Sequence, residues 1–491
     1  MNTEKQASVY ELKGRPPLKV AVPMGLQHVF AMFIGNLAPI LVIAGLTDAV
    51  TGAPIITPEQ RMLMIQCCML ASGFATIIQL YPVKIGKVQL GSGLPIVMGT
   101  SFAFVPTMSS IGVTYGIGAI IGAVIVASSM QVVIGLLIKP LKKIITPIVI
   151  GSVLLSIGLY LLPIGATYFA GGTDEQAAYL AMQELLAHNE AVPEDLSALA
   201  SGFASWQNLL MGSVVFLIIV ILQRFAKGLL KVSAIVIAIA AGYLLAIILG
   251  QIDFAKVADA SIIAAPIPFS IRPEFHLEPI VAMAFMVVVS GIETIGHVNG
   301  LTMAVWDRPA KTKETQGAVL ADFAGNIIAS CFNTLPNTSF GQNIGIVSMT
   351  KAVNRFCILI TALVLVIAGL SPKVGAFLSV MPSSVLGGAV MTVFAMIMLN
   401  GIKIIAKEGF SERNVLILSL TFGVGFAVAA DTALVSKLPS VVGFIFSNTT
   451  IAVCFIAILL NLIFPKTKKE KMESYVAEQD GAKQDGAEQD D

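Results

Sequence analysis

The sequence predicts an all-α polytopic membrane protein, and three observations lead there. Across 491 residues the mean hydropathy is +0.87, with 56% apolar and only 12% charged residues, against about 25% charged in ordinary soluble domains. The apolar residues gather into fourteen stretches, most of them near crossing length. The basic residues collect in alternate connections between those stretches. The same composition excludes a disordered chain, which needs low hydrophobicity. It also excludes a disulfide-stapled secreted domain, because Cys67, Cys68, Cys331, Cys357 and Cys454 all fall in apolar stretches and read as reduced packing residues. Thirty basic and 29 acidic residues give a net charge of +1. No basic face studded with aromatics stands out, so nucleic acid is not an expected partner.

Crossing about 30 Å of hydrocarbon takes about 20 apolar residues in a helix, and a helix satisfies its own backbone polar groups in lipid. The expected spans are 21–46, 62–82, 94–110, 115–138, 144–164, 207–223, 232–250, 279–300, 316–332, 338–350, 357–370, 384–402, 414–430 and 447–464. With the N-terminus inside, 25 of the 30 Lys and Arg residues fall in inside segments. The outside segments keep only Arg61, Lys256, Arg272, Lys373 and Lys437. Both termini are therefore expected in the cytoplasm. The polar first nineteen residues and the long first apolar stretch give no sign of a removable signal peptide. The outside loop 166–206 holds six acidic and no basic residues and has room for a short surface helix. From Lys466 a basic cluster precedes a repetitive Ala, Glu, Gln, Asp and Gly run, expected to be a solvated disordered tail over 465–491.

Two segments break the pattern. The third, from Gly91 through Pro95, Gly99 and Pro106, and the tenth, from Pro336 through Gly341 and Gly345, are too short and interrupted for continuous spans. Each contains Thr-Ser-Phe, at 100–102 and at 338–340. The third of the first seven stretches thus corresponds to the third of the second seven, which run inverted because seven is odd. Interrupted segments at matching places in two inverted halves mark a transporter's midplane site. A loop dipping into the membrane, or a chance match, is the other reading.

Few ionisable groups lie within the spans, and each carries an insertion cost of about 2.5–3.5 kcal/mol. Glu293 and His297 are four apart in the eighth, so they share a helix face. Such a pair suits proton coupling, with a structural hydrogen bond between helices as the alternative for Glu293. Asp322 in the ninth could bind a proton or a cation, or cap the broken tenth segment. His28 sits near the start of the first, where plain packing is an equal reading. No His, Cys and Asp spacing resembles a metal site. No phosphate-binding loop and no hydrolase triad is present, so neither ATP use nor enzymatic hydrolysis is expected. In Asn337–Lys351, glycines allow close approach, and Gln342 and Asn343 offer paired amide donors and acceptors suited to a flat heterocycle. A half-helix beginning there would aim free N–H groups at a ligand carbonyl or anion.

These residues resemble the nucleobase/ascorbate transporter family, the nucleobase:cation symporter-2 group. Its tenth-segment signature is Gln, Glu or Pro, then Asn-x-Gly, four variable residues, Thr, then Arg, Lys or Gly, and Gln342 through Lys351 meet every position. Glu293-Thr-Ile-Gly-His297, Asp322, Gln27-His28 and Gly99 through Phe102 also match. The resemblance covers nearly the whole membrane region. It implies seven plus seven inverted segments forming a core and a gate, with a short strand and a half-helix in segments three and ten. The core would take 21–138 and 279–370, the gate 144–250 and 384–464, and residues 1–20 would be a cytoplasmic N-terminus. In such transporters Glu293 hydrogen-bonds the base and Gln342 reads its other edge. Backbone groups at Phe102 and Gly341 complete the site, with Asn343 beside them. His297, Asp322 and His28 belong to proton coupling and its support. Glutamine at 342 resembles the purine branch, which takes xanthine or uric acid, whereas Glu-x-x-Gly-His resembles the uracil branch. Because Gln342 would touch substrate, a purine is expected, with uracil as the first alternative and an anion channel or exchanger of the related fold as the second. The resemblance further implies a homodimer in the plasma or inner membrane, proton coupling with sodium as the alternative ion, and no cofactor.

Overall fold

The computed structural model describes residues 8–86, 88–137, 146–435 and 437–464. The expected disordered tail 465–491, the first seven residues of the N-terminal segment and the link 139–143 between the fourth and fifth stretches lie outside the described residues. The fold is mostly helical, with two small antiparallel sheets, one pairing strand β1 (Val83–Ile85) with β2 (Val88–Leu90) and the other pairing β3 (Met98–Thr100) with β4 (Asn337–Ser339). This is a multi-pass membrane protein.

Seven described helices are long and apolar enough to cross a membrane. The number is nine if each of two sharply bent pairs counts as one span, Arg355–Gly369 with Pro372–Ser379 at 84° and Ser440–Ser447 with Thr449–Ile463 at 103°. The sequence gives fourteen apolar stretches because several are shorter than a crossing. Ala234–Ile248 has only 15 residues, and the tenth stretch is a strand followed by the 10-residue helix Gly341–Thr350. The third and fourth run together as Val105–Leu136, broken at Gly116, whose φ of 81° and ψ of 177° lie outside the helical region. A residue with a side chain rarely adopts that φ, so the glycine is what lets the half-helix end there.

Local sequence explains several boundaries. Pro58–Leu80 starts with Pro58 in its first turn, and Thr57 and Gln60 form a reciprocal capping box. Gly341–Thr350 ends at Lys351 in the left-handed conformation, and the Lys351 Nζ donates to the carbonyl of Ala304 on Leu277–Trp306. The acidic loop 166–206 carries two helices, Thr173–Ala187 and Glu194–Ala200, where one was expected.

The helices pack as two groups. Leu18–Ala44, Pro58–Leu80, Val105–Leu136, Leu277–Trp306, Thr312–Cys331, Gly341–Thr350 and Arg355–Gly369 pack on one another. Pro147–Phe169, Trp206–Phe225, Ala234–Ile248, Ser383–Glu408, Glu412–Ala430 and Thr449–Ile463 form the second group. Within it, Pro147–Phe169 and Ser383–Glu408 make the most extensive contact. Their backbones touch through small residues: a Cβ on Gly158 would lie 2.5 Å from the Met398 Cβ, and one on Gly401 2.5 Å from the Leu155 nitrogen. Helices in lipid associate by such close approach, since burial of apolar surface drives nothing there.

Candidate functional site

The site is built where strand β3 (Met98–Thr100) meets strand β4 (Asn337–Ser339). They pair antiparallel, with Met98 opposite Ser339, Gly99 opposite Thr338 and Thr100 opposite Asn337. Each strand hands the chain to a helix, β3 through the short turn Phe102–Phe104 into Val105–Leu136, and β4 directly into Gly341–Thr350. Both helices thus begin at the crossing, where their first N–H groups lack intrahelical acceptors.

Three-residue strands hold little stability of their own, and buried side chains supply the rest. The Asn36 Oδ1 accepts from the Thr100 N–H at 2.7 Å and from the Ser72 hydroxyl at 3.0 Å. Ser72 in turn accepts from the Asn337 amide at 2.9 Å. The Asn326 Oδ1 takes the Asn337 N–H at 2.7 Å while its amide donates to Gln131 at 2.9 Å. The Thr76 hydroxyl takes the Met98 N–H at 2.9 Å. Buried backbone groups that the ladder leaves free are paired in this way.

Beside the crossing lies a cavity of about 520 Å³ between the two helix groups. The first group contributes Phe102, Glu293, His297, Ser339, Gly341 and Gln342 to its wall. The second contributes an apolar face that includes Ile150, Leu154, Ile157, Val393, Met396 and Ile397, together with Asn400 and Lys403. Phe102 meets Phe394 of the second group edge-on at 5.4 Å. This volume lies within the range of small-molecule pockets.

A chain of polar contacts leads from the cavity into the first group. The His297 Nε2 lies 3.8 Å from the Glu293 carboxylate, both about a quarter exposed. The other ring nitrogen, Nδ1, is 2.9 Å from the Ser339 hydroxyl, and Ser339 is 2.9 Å from the Thr294 hydroxyl. Thr294 donates to the buried Asp322 carboxylate at 2.6 Å. Each hydroxyl has one proton. With Asp322 ionised, Thr294 donates to it and accepts from Ser339, so Ser339 accepts from the His297 Nδ1–H. The Nε2 then faces Glu293. Protonation of Asp322 would let the whole chain reverse, so the arrangement can pass a proton between the cavity and a buried carboxylate.

Of the residues singled out in the sequence, Phe102, Glu293, His297, Gly341 and Gln342 thus share one cavity. Asp322 is joined to it through Thr294 and Ser339. Asn343 is absent from the cavity lining; fully buried, its amide donates to the His28 carbonyl at 3.0 Å and lies 3.2 Å from the His28 Nδ1. Asn343 and His28 therefore fasten Gly341–Thr350 to Leu18–Ala44. Gly341 has a steric reason: a Cβ there would sit 2.8 Å from the His297 Nε2. Sequence reasoning did not single out Thr294, Ser339, Asn400 or Lys403. The repeated Thr-Ser-Phe was the one signal pointing to Ser339. Among the described residues no cluster could hold a metal ion.

Comparison with known proteins now places the chain. A model of a permease family matches residues 19–193 and 187–434. The chain belongs to the nucleobase:cation symporter-2 family. Within this permease family it is 30% identical over 461 residues to the xanthine permease of Bacillus subtilis, covering 93% of this chain and 97% of that one. It is 31% identical over 483 residues to the xanthine permease XanP of Escherichia coli, covering 95% and 96%. Solved structures of similar fold include the transmembrane domain of the cyanobacterial bicarbonate transporter BicA, with a TM-score of 0.52 at 14% identity over 90% of this chain and 97% of that one. Another is the murine Solute Carrier 26 family member A9 anion transporter in its inward-facing state, with a TM-score of 0.59 at 12% identity over 90% and 67%. This permease-family chain is therefore a nucleobase transporter and not an enzyme, with a fold shared by anion transporters.

Proposed function

We propose that the protein imports a purine nucleobase, xanthine or uric acid, by proton symport. The observation that carries the reading is that Glu293 and Gln342, from two different helices, line one cavity beside the strand crossing. A carboxylate accepts ring N–H groups, and a primary amide both donates to a ring carbonyl and accepts an N–H. Together they suit a flat base bearing both kinds of edge. The free N–H groups at the start of Gly341–Thr350 add donors for a carbonyl oxygen. The path from Glu293 through His297, Ser339 and Thr294 to Asp322 supports a proton as the coupling ion, with sodium as the alternative.

In this reading the first helix group is the core and the second the gate, within fourteen segments arranged as two inverted sevens. Substrate and proton bind at their interface, and the core then moves against the gate as a body. Both termini and the Lys403 end of the cavity face the cytoplasm, in line with the distribution of basic residues. The family resemblance supports a homodimer in the plasma or inner membrane. Uracil is the second reading, favoured by the sequence from Glu293 to His297. The fold alone would also suit an anion exchanger, but a carboxylate on the cavity wall repels an inorganic anion where the dielectric is low.

The test is uptake of labelled xanthine into vesicles holding the purified protein, under an imposed inward proton gradient with unlabelled bases as competitors. Accumulation competed by urate or xanthine and untouched by uracil is the expected outcome. Competition by uracil alone would move the assignment to the uracil branch. No nucleobase uptake under proton or sodium gradients would overturn the function.

A further inference from the structure

The gate-side wall of the cavity is apolar apart from Asn400 and Lys403. Three residues apart on Ser383–Glu408, they share a helix face. Val393 and Ile404 of that helix both line the cavity, so it runs along about 16 Å of helix axis. Val393 adjoins Phe394, which packs on Phe102, and marks the deep end. Lys403 stands near the other end, exposed and within two turns of the helix terminus at Glu408. The cavity's other ionisable groups, Glu293 and His297, belong to the core wall and contact each other. Among the described residues no carboxylate lies within ion-pair distance of Lys403.

An unpaired ammonium on the wall of a cleft with apolar sides concentrates anions there. Uric acid loses a proton below neutral pH and xanthine near it, whereas uracil stays neutral. We propose that Lys403 and Asn400 form a second binding station in this cavity, one that holds an oxopurine as its monoanion. The proposal rests on the nucleobase-transport reading and narrows its substrate class to weakly acidic oxopurines. The Lys403 ammonium acts as a point charge for the delocalised oxyanion, and the Asn400 amide offers both a donor and an acceptor to the base edge. A monoanionic oxopurine that moves deeper still has ring N–H groups to donate to Glu293. An inorganic anion without such donors meets only repulsion there and stops at Lys403. The station therefore admits acidic purines to the deep site while the fold's anion-binding potential is held at the mouth.

The experiment measures equilibrium binding of labelled urate and labelled xanthine to the purified full-length protein at mildly acid pH, where urate is chiefly anionic and xanthine chiefly neutral. Wild type, Lys403→Gln and Lys403→Arg are compared at low and high salt. In Lys403→Gln the ratio of urate to xanthine affinity falls about fivefold, the effect of one unit charge at contact distance in water. Lys403→Arg keeps the wild-type ratio. High salt lowers the wild-type ratio toward that of Lys403→Gln, because an exposed charge is screened. An unchanged ratio in Lys403→Gln, or a ratio insensitive to salt, overturns the station while leaving the transport function standing. Failure of wild type to bind urate when it binds xanthine also overturns the station. Binding of neither base overturns the nucleobase reading itself, and the station with it.

Discussion

The two walls of the cavity are made differently. On the core wall, Glu293, His297 and Ser339 belong to a continuous polar chain that ends at buried Asp322, and the strands behind them are pinned by Asn36, Ser72, Asn326 and Asn337. On the gate wall, apart from Asn400 and Lys403, side chains such as Ile150, Leu154, Ile157, Val393 and Ile397 present hydrocarbon. Recognition and proton transfer need fixed donors and acceptors, because a misplaced buried polar group costs as much as a lost hydrogen bond. Sliding needs a surface without directional bonds to break. Under the proposed mechanism the core wall would read the substrate and the gate wall would let the core move past it.

Substitutions can break or sharpen this contrast. Glu293→Gln removes the carboxylate proposed as both anionic acceptor and proton carrier. Gradient-driven accumulation is expected to vanish at unchanged expression, and xanthine binding to weaken roughly 10- to 100-fold, the worth of a hydrogen bond to a charged group. Ordinary transport by that variant would defeat the assignment. Ser339→Ala cuts the chain between His297 and Thr294 and leaves both short of a partner. Proton-driven uptake should fall about tenfold and lose its pH dependence while xanthine binding changes far less, since one unsatisfied buried group costs about 1–3 kcal/mol; parallel losses in binding and uptake would show a merely structural role. Gln342→Glu replaces two N–H donors with an acceptor, and the preference for xanthine over uracil should shift about fivefold in competition assays, a single hydrogen bond of about 1 kcal/mol being at stake. An identical competition profile would remove Gln342 from recognition. Ile397→Val trims one methylene from the gate wall, worth about 0.8 kcal/mol of apolar contact, so affinity should change less than fourfold. A large loss of specificity there would show that the gate wall also reads the base.

The contrast was partly legible in the sequence. The repeated Thr-Ser-Phe and the glycines around it marked both halves of the strand crossing, and the i, i+4 spacing placed Glu293 with His297. Gln342 and Asn343 are adjacent amides in the sequence, yet neighbours on a helix point about 100° apart. One therefore lines the cavity, and the other is buried against His28. Lys403 was counted among the basic residues that follow a span expected to end at 402. Its helix continues to Glu408, which keeps Lys403 on the cavity wall. The link from His297 to Asp322 depends on where β4 places Ser339 against Leu277–Trp306, a tertiary fact that no spacing within one helix encodes. The bent and broken segments were counted as spans because hydropathy sees apolar length, whereas the turns at Gly116 and before Thr449 are backbone events.

Whether Glu293 and Gln342 hold the base from the core wall is decided by determining the structure with xanthine bound. The purine ring is expected in this cavity, with the Glu293 carboxylate and the Gln342 amide each within hydrogen-bonding distance of ring atoms and the aliphatic side chains of the gate wall in apolar contact. A base seated elsewhere, or held in the cavity without contact to Glu293, would contradict it.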